Sequence, residues 1–332
     1  MIISLTFLTL ASFVWYLWEK SHRKTSKIQA GLQPDINLPY EQEWELYHND
    51  FSLCSKKVRV CLDELGINYK SHHIDLIETG SYQNISRAYL KVNPSGLLPV
   101  LVHNGHPIYE SHEQIRYAVS KNEPNELIDF NDPEIQARAD HWIERTSMTG
   151  DDPISKMKSS MAGASAALTL PIFTAMMNEI PAHRLVEGLL FHRLKQRPLF
   201  FLKLKLTGLA NIPKTPPFIK LIKAASLVMQ EHLDDLESEL AISEGTWLCG
   251  NQFSLADVGL VAIFERLEEA TLTHKFINAE RPRVLAYWQN LKTRPSYKTA
   301  IKRHTHPVTK KGISNIQFER SKNPALDTLL SS

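Results

Sequence analysis

The sequence predicts an α+β chain: a small mixed sheet flanked by helices, then an all-helical half, with an apolar helix ahead of both. Three observations carry this reading. Short β-like and helical runs alternate through residues 44–119, helical periodicity alone runs from 134 onward, and residues 2–18 contain no charge. At 332 residues the chain exceeds one small domain and can bury a large core. With 43% hydrophobic and 22% charged residues it is neither disordered nor of low complexity. A net charge of +2, from 38 basic and 36 acidic residues, gives no case for a nucleic acid partner. The odd cysteine count, Cys54, Cys61 and Cys249, suits a reducing compartment better than a disulfide framework.

The uncharged N-terminal run ends in Trp15, Tyr16 and Trp18, and Glu19, Lys20, Arg23, Lys24 and Lys27 follow. About 17 apolar residues reach roughly 25 Å as a helix, the short end of a membrane span. Tryptophan beside lysine is the composition of a bilayer boundary. A cleaved signal peptide would carry its positive charge before the run and small residues after it, and neither is present. The expectation is a single-pass membrane anchor over residues 1–20, with the body on the cytoplasmic side by the positive-inside rule. Residues 21–42, with Pro34 and Pro39, read as a linker.

The next unit spans 43–122. Residues 44–49 are a short strand; 52–65 place Val58, Cys61, Leu62 and Leu65 on one helical face, closed by Gly66. Residues 69–76 are a second strand, and 82–92 a helix ended by Asn93-Pro94. Residues 97–102 and 107–110 form a hairpin across Asn104-Gly105, and Ser111 opens a last helix. This order is thioredoxin-like. His48, His72 and His73 show no metal-ligand spacing and read as strand or surface residues.

At this point the residues resemble a known family. Tyr47 through Arg59, then Asn93-Pro94-Ser95-Gly96-Leu97-Leu98-Pro99-Val100-Leu101, then Glu110-Ser111, are similar to the glutathione-binding domain of the cytosolic glutathione transferase superfamily. Trp247 through Asp257, and Arg281-Pro282 through Tyr297, resemble its helical domain. The resemblance covers about 44–145 and 225–300, and the N-terminal pieces are theta-, zeta- and omega-like. The segment also resembles the membrane-anchored ganglioside-induced differentiation-associated proteins, whose transferase activity is doubtful.

The resemblance implies roles for six residues. Pro99 would be cis, turning the Leu98 main chain toward the cysteinyl part of glutathione. Glu110 would face the γ-glutamyl ammonium, while Ser111 and the helix amides would take its carboxylate. Ser52 falls where theta and zeta enzymes carry a catalytic serine, and Cys54 where beta-class enzymes carry a cysteine. Either could hold or replace the glutathione thiolate at a helix N-terminus. Ser254 and Asp257 form a capping box, a structural feature.

The all-helical glutathione transferase domain is expected over 132–302, with an insertion at about 150–217. Residues 189–223 carry eight basic residues and no acidic one, interleaved with Leu199, Phe200, Phe201, Leu202, Leu204 and Leu206. That pattern fits a segment on an anionic membrane surface or a helix covering the active site. Residues 303–332 read as a polar, partly ordered tail. Taken together, the sequence describes a membrane-tethered, glutathione transferase-like protein. It would use glutathione as co-substrate, no metal, and a lipophilic small-molecule electrophile as second substrate. A non-catalytic scaffold and a Cys54-dependent thiol transferase are the alternatives, and a homodimer is implied by the resemblance.

Overall fold

The computed structural model describes residues 2–122, 127, 132–148 and 152–331, with side chains from residue 9 onward. The helix α1 (Ile2–His22) leads into a five-stranded sheet built from β1 (Gly31–Leu32), β2 (Trp44–His48), β3 (Lys70–His73), β4 (Val100–His103) and β5 (His106–Tyr109). Strand order is β1-β5-β4-β2-β3; β2 and β3 are parallel and the other pairs antiparallel. On this sheet lie α2 (Leu53–Glu64), α3 (Arg87–Val92) and α4 (Ser111–Ser120). Both faces of β2 and β4 are buried, and the pleat sends alternate side chains to two different clusters: Leu46 and Leu101 to the one that includes α2, Val100 and Val102 to the one on the other face. Asn104 and Gly105 turn the hairpin with φ of 50° and 83°. A Cβ on Gly105 would lie 2.6 Å from Asn37 Oδ1, so this turn also requires glycine for the approach of the preceding segment.

That preceding segment is 21–42, read from sequence as a linker. It contributes the edge strand β1, and its Leu38 N–H donates to Gly105 O at 2.8 Å. Prolines made it look like a tether, but a two-residue strand is too short to show a period.

The single-pass anchor, and with it the membrane localisation and cytoplasmic-side placement, is corrected here. Among the described residues no helix is long and apolar enough to cross a membrane. Part of the aromatic and basic cluster at the end of α1 packs on the protein body, while Lys20, Lys24 and Lys27 stay exposed. Trp15 and Tyr16 set their rings 6.2 and 5.8 Å from Phe191. Arg23 is buried, pairs with Glu187 at 2.8 Å and donates to Ile85 O at 2.9 Å. Burying a guanidinium requires such partners, which fixes the helix end against the fold. Leu10, Phe13, Val14, Trp15, Leu17 and Trp18 remain exposed.

The helical half begins with α5 (Pro133–Arg145) and continues through α6 (Met161–Leu168), α7 (Leu170–Met177), α8 (Ala182–Phe191) and α9 (Gln196–Thr207). Then come α10 (Pro216–Ile242), the buried α11 (Leu255–Glu269), α12 (Thr273–Phe276) and α13 (Pro282–Thr293). The helices α14 (Pro307–Lys322) and α15 (Pro324–Ser331) occupy the expected polar tail, with Gly312 against Met176 and Leu326 and Leu330 buried. Asp257 accepts the Ser254 N–H at 2.7 Å and the Tyr287 hydroxyl at 2.6 Å, which anchors α11 in the core.

The insertion covers the sheet domain. A Cβ on Gly188 of α8 would lie 2.4 Å from the Tyr82 ring, and Arg197 pairs with Glu78 at 3.5 Å. Its unopposed lysines act on helix ends: Lys205 Nζ donates to Met177 O at 2.9 Å and Ile180 O at 2.8 Å, and Lys195 Nζ to Leu189 O at 2.7 Å. Phe201 and Leu204 are buried beneath them.

Candidate glutathione site

The sheet register gathers the residues singled out from sequence at one end of the sheet. Tyr47 of β2 faces Val100 of β4, so Pro99 lies beside the loop that leaves β2 for Ser52. Leu101 faces Ile108, which brings the end of β5, and with it Glu110 and Ser111, to the same edge. The Leu98–Pro99 bond is cis. Gln114 holds this corner by donating from Nε2 to Pro99 O at 2.8 Å and Ile108 O at 2.9 Å.

Ser52 is the N-cap of α2, and its hydroxyl accepts the Ser55 N–H at 3.3 Å. The buried Asn49 fixes this loop. Its Oδ1 accepts from Phe51 N at 3.0 Å and Ser52 N at 3.2 Å, and its Nδ2 donates to Ile74 O at 2.9 Å. Cys54 is half-buried in the first turn of α2 and forms no disulfide. Glu110 sits at the N-cap of α4 with φ of 69°, the left-handed region that disfavours a side chain. Burial pushes its carboxyl pKa up, against the pull of the Lys57 charge. Ser111, buried, begins α4. Two helix N-termini therefore point at one sheet end.

Sequence reading assigned no role to several neighbours of this end. Lys57 is 1% exposed, and its Nζ donates to Ser147 Oγ at 3.1 Å. The Arg266 guanidinium stacks 3.6 Å from the Phe51 ring centroid and pairs with Glu269 at 2.9 Å, while Lys56 closes the same ion cluster on Glu269. Phe51 in turn meets Phe173 of the insertion edge-on at 5.7 Å.

His48, His72 and His73 lie in β2 and β3, as strand residues. The described residues bring His48, Asp50 and His73, and separately His73, Asp75 and His306, within metal-ligand reach, a gathering that sequence spacing concealed. Their atoms are engaged with one another. His48 Nδ1 faces the Arg59 guanidinium at 3.1 Å, and burial with that charge brings its pKa down to about 2. Asp50 lies 3.2 Å from His304 and 3.6 Å from His73. Burial alone would raise the Asp50 carboxyl, but these hydrogen bonds and Arg59 hold it well below the usual range. Hydrogen bonds to Asp50 and Asp75 raise His73 to about 9. His306 Nδ1 accepts the Val308 N–H at 3.2 Å, leaving the proton on Nε2, the nitrogen that faces Asp75. The cluster is an ionic latch between the sheet and the C-terminal arm.

Residues 51–121 match the family model of the glutathione S-transferase N-terminal domain, and 223–289 that of the C-terminal domain. The chain is 30% identical over 266 residues to glutathione S-transferase TCHQD of Arabidopsis thaliana, covering 78% of this chain and 90% of that one. The chain belongs to the glutathione S-transferase superfamily. Membership carries glutathione transferase chemistry with glutathione as co-substrate. A second relative, tetrachloro-p-hydroquinone reductive dehalogenase of Sphingobium chlorophenolicum, is 23% identical over 78% of this chain and 95% of its own. In fold the chain resembles beta-etherase LigF from Sphingobium sp. strain SYK-6, with a TM-score of 0.62, 18% identity, and coverage of 79% and 100%.

Proposed function

We propose that this glutathione S-transferase binds glutathione across the β4–α4 edge and activates its thiol at the N-terminus of α2 for attack on an electrophilic, apolar second substrate. The observation that carries the reading is the convergence of the cis Leu98–Pro99 bond, the Glu110-Ser111 start of α4 and the Ser52 cap of α2 at one sheet end. The Leu98 main chain would pair with the cysteinyl residue, Ser111 and the α4 amides would take the γ-glutamyl carboxylate, and Glu110 its ammonium. The sulfur would then lie at α2, where the helix dipole and the Ser52 hydroxyl favour the thiolate. Half-buried Phe173 beside Phe51 supports an apolar second substrate.

Calorimetric titration of glutathione into the full chain tests the site. Micromolar to low-millimolar binding that is weakened at least tenfold by Ser111→Ala supports it; binding indifferent to Ser111→Ala overturns it.

A second reading rests on Cys54, half-buried two residues after Ser52 in the first turn of α2. In that chemistry the Cys54 thiolate attacks the glutathionyl sulfur of a mixed disulfide, releasing the other thiol. A second glutathione thiolate then frees Cys54 as oxidised glutathione departs. Mass spectrometry of glutathionylated Cys54 during turnover, lost in Cys54→Ala, selects this route; full turnover by Cys54→Ala selects Ser52. The homodimer implied by the family is carried as a proposal as well, to be read by light scattering.

A further inference from the structure

We propose that Lys57 is a positioning residue whose buried ammonium holds the sulfur of bound glutathione in its thiolate form. The proposal rests on the glutathione reading above and deepens it. Lys57 follows Cys54 by three residues, which places both on one face of α2. Helical side chains lean toward the N-terminus, so the lysine stem runs back toward the Ser52–Cys54 turn. Its Nζ ends on a single neutral hydroxyl, that of Ser147 at the end of α5. Among the described residues no carboxylate lies within ion-pair distance of it. Three other buried cations are matched, Lys56 and Arg266 by Glu269 and Arg23 by Glu187, whereas Lys275 ends like Lys57 on one serine hydroxyl, Ser226 Oγ at 3.0 Å, in the helical half away from α2. A buried ammonium without a counter-ion is costly, and an anion arriving at α2 would relieve that cost.

The surrounding charges agree with this role. Cys54 and Cys61 face Lys57 from its own helix, and Glu110 and Arg116 from the end of β5 and from α4. His112 of α4 also feels the Lys57 charge, together with those of Glu113, Arg116 and Glu144. Glu110 is the acid of this set on which Lys57 acts directly, and it is reserved in the reading above for the glutathione ammonium. With that contact made, the thiolate is the remaining partner for Lys57.

The test is the pH profile of kcat/KM together with the ultraviolet thiolate absorbance of glutathione bound to the full chain. In Lys57→Met the acid limb and the absorbance midpoint move up by about one pH unit, about a tenfold loss on the acid side that vanishes at high pH. Lys57→Gln keeps a hydrogen bond to Ser147 without the charge and shows the same shift, whereas Lys57→Arg stays within about 0.3 unit of wild type. Three results overturn the proposal: a folded Lys57→Met with an unmoved midpoint, a loss equal at every pH, or full rescue by Lys57→Gln. If wild type itself binds no glutathione by calorimetry, the glutathione reading fails with it. If wild type binds and only the midpoint is unmoved, Lys57 alone is refuted.

Discussion

The two helix N-termini at the sheet end share a dipole and differ in everything attached to it. At α2 the cap is a neutral hydroxyl, the first turn carries no acid, and Lys57 lies buried beneath. At α4 the cap position is Glu110 in a left-handed conformation with no side-chain cap bond, and Glu113 stands in the first turn. A helix N-terminus attracts any anion. The added acid at α4 makes that end fit a zwitterion, whereas the added base at α2 makes that end fit a bare anion. On the reading proposed above, a peptide with an amino-acid head and a thiol would be oriented by these added charges, with the same backbone device used twice.

Breaking the α2 end has the largest expected effect. Ser52→Ala lowers kcat/KM for thiol transfer by about a hundredfold with glutathione affinity kept within about threefold. Its stability cost is that of a lost cap, about 1 kcal/mol in a denaturant titration. Breaking the α4 end moves affinity instead: Glu110→Gln weakens glutathione binding about tenfold by calorimetry. The same change leaves the acid limb of turnover at saturating glutathione in place. If both variants changed binding and turnover alike, the division of labour between the helices would be wrong. Asp257→Ala serves as a control remote from either end. It removes the Ser254 and Tyr287 hydrogen bonds and lowers unfolding free energy by about 2–3 kcal/mol, with kcat per folded molecule unchanged.

The smallest effect concerns the latch. His73 is raised in the folded state to about 9, so its contribution is fully present below about pH 6.5 and is lost as pH rises through 9. With the ring about a third exposed, solvent screening reduces this to about 1 kcal/mol. Urea midpoints should fall between about pH 7 and pH 10 in wild type and fall less in His73→Gln. Asp50 has the opposite sign: its depressed carboxyl supports the fold above its ordinary pKa near 4, and that support is lost in acid.

The sheet domain was legible because its signals are local. The helix expected at 52–65 is Leu53–Glu64 and the Asn104-Gly105 turn closes the hairpin; in the helical half the equally local Ser254–Asp257 capping box also forms. The strand expected at 97–102 begins only at Val100, since Pro99 offers no ladder donor. What failed was the identity of the partner. Periodicity says that a face is covered and is silent on what covers it, so Trp15, Tyr16 and Arg23 look the same against Phe191 and Glu187 as against a headgroup layer. The lysines of 189–223 could not reveal that carbonyls at helix ends receive them. Lys57 and the His–Asp latch depend on residues far apart in sequence, and no spacing rule connects them.

The latch has a consequence for how the molecule is made. Asp50, two residues before Ser52, receives its hydrogen bond from His304, 254 positions later. An emerging polypeptide can complete its sheet long before that imidazole leaves the ribosome. The turn ahead of Ser52 therefore acquires this side-chain partner only after those 254 further positions have been made. Proteolytic cleavage ahead of His304 would return the folded chain to that earlier condition, coupling the integrity of the α14–α15 arm to the loop that leads into Ser52.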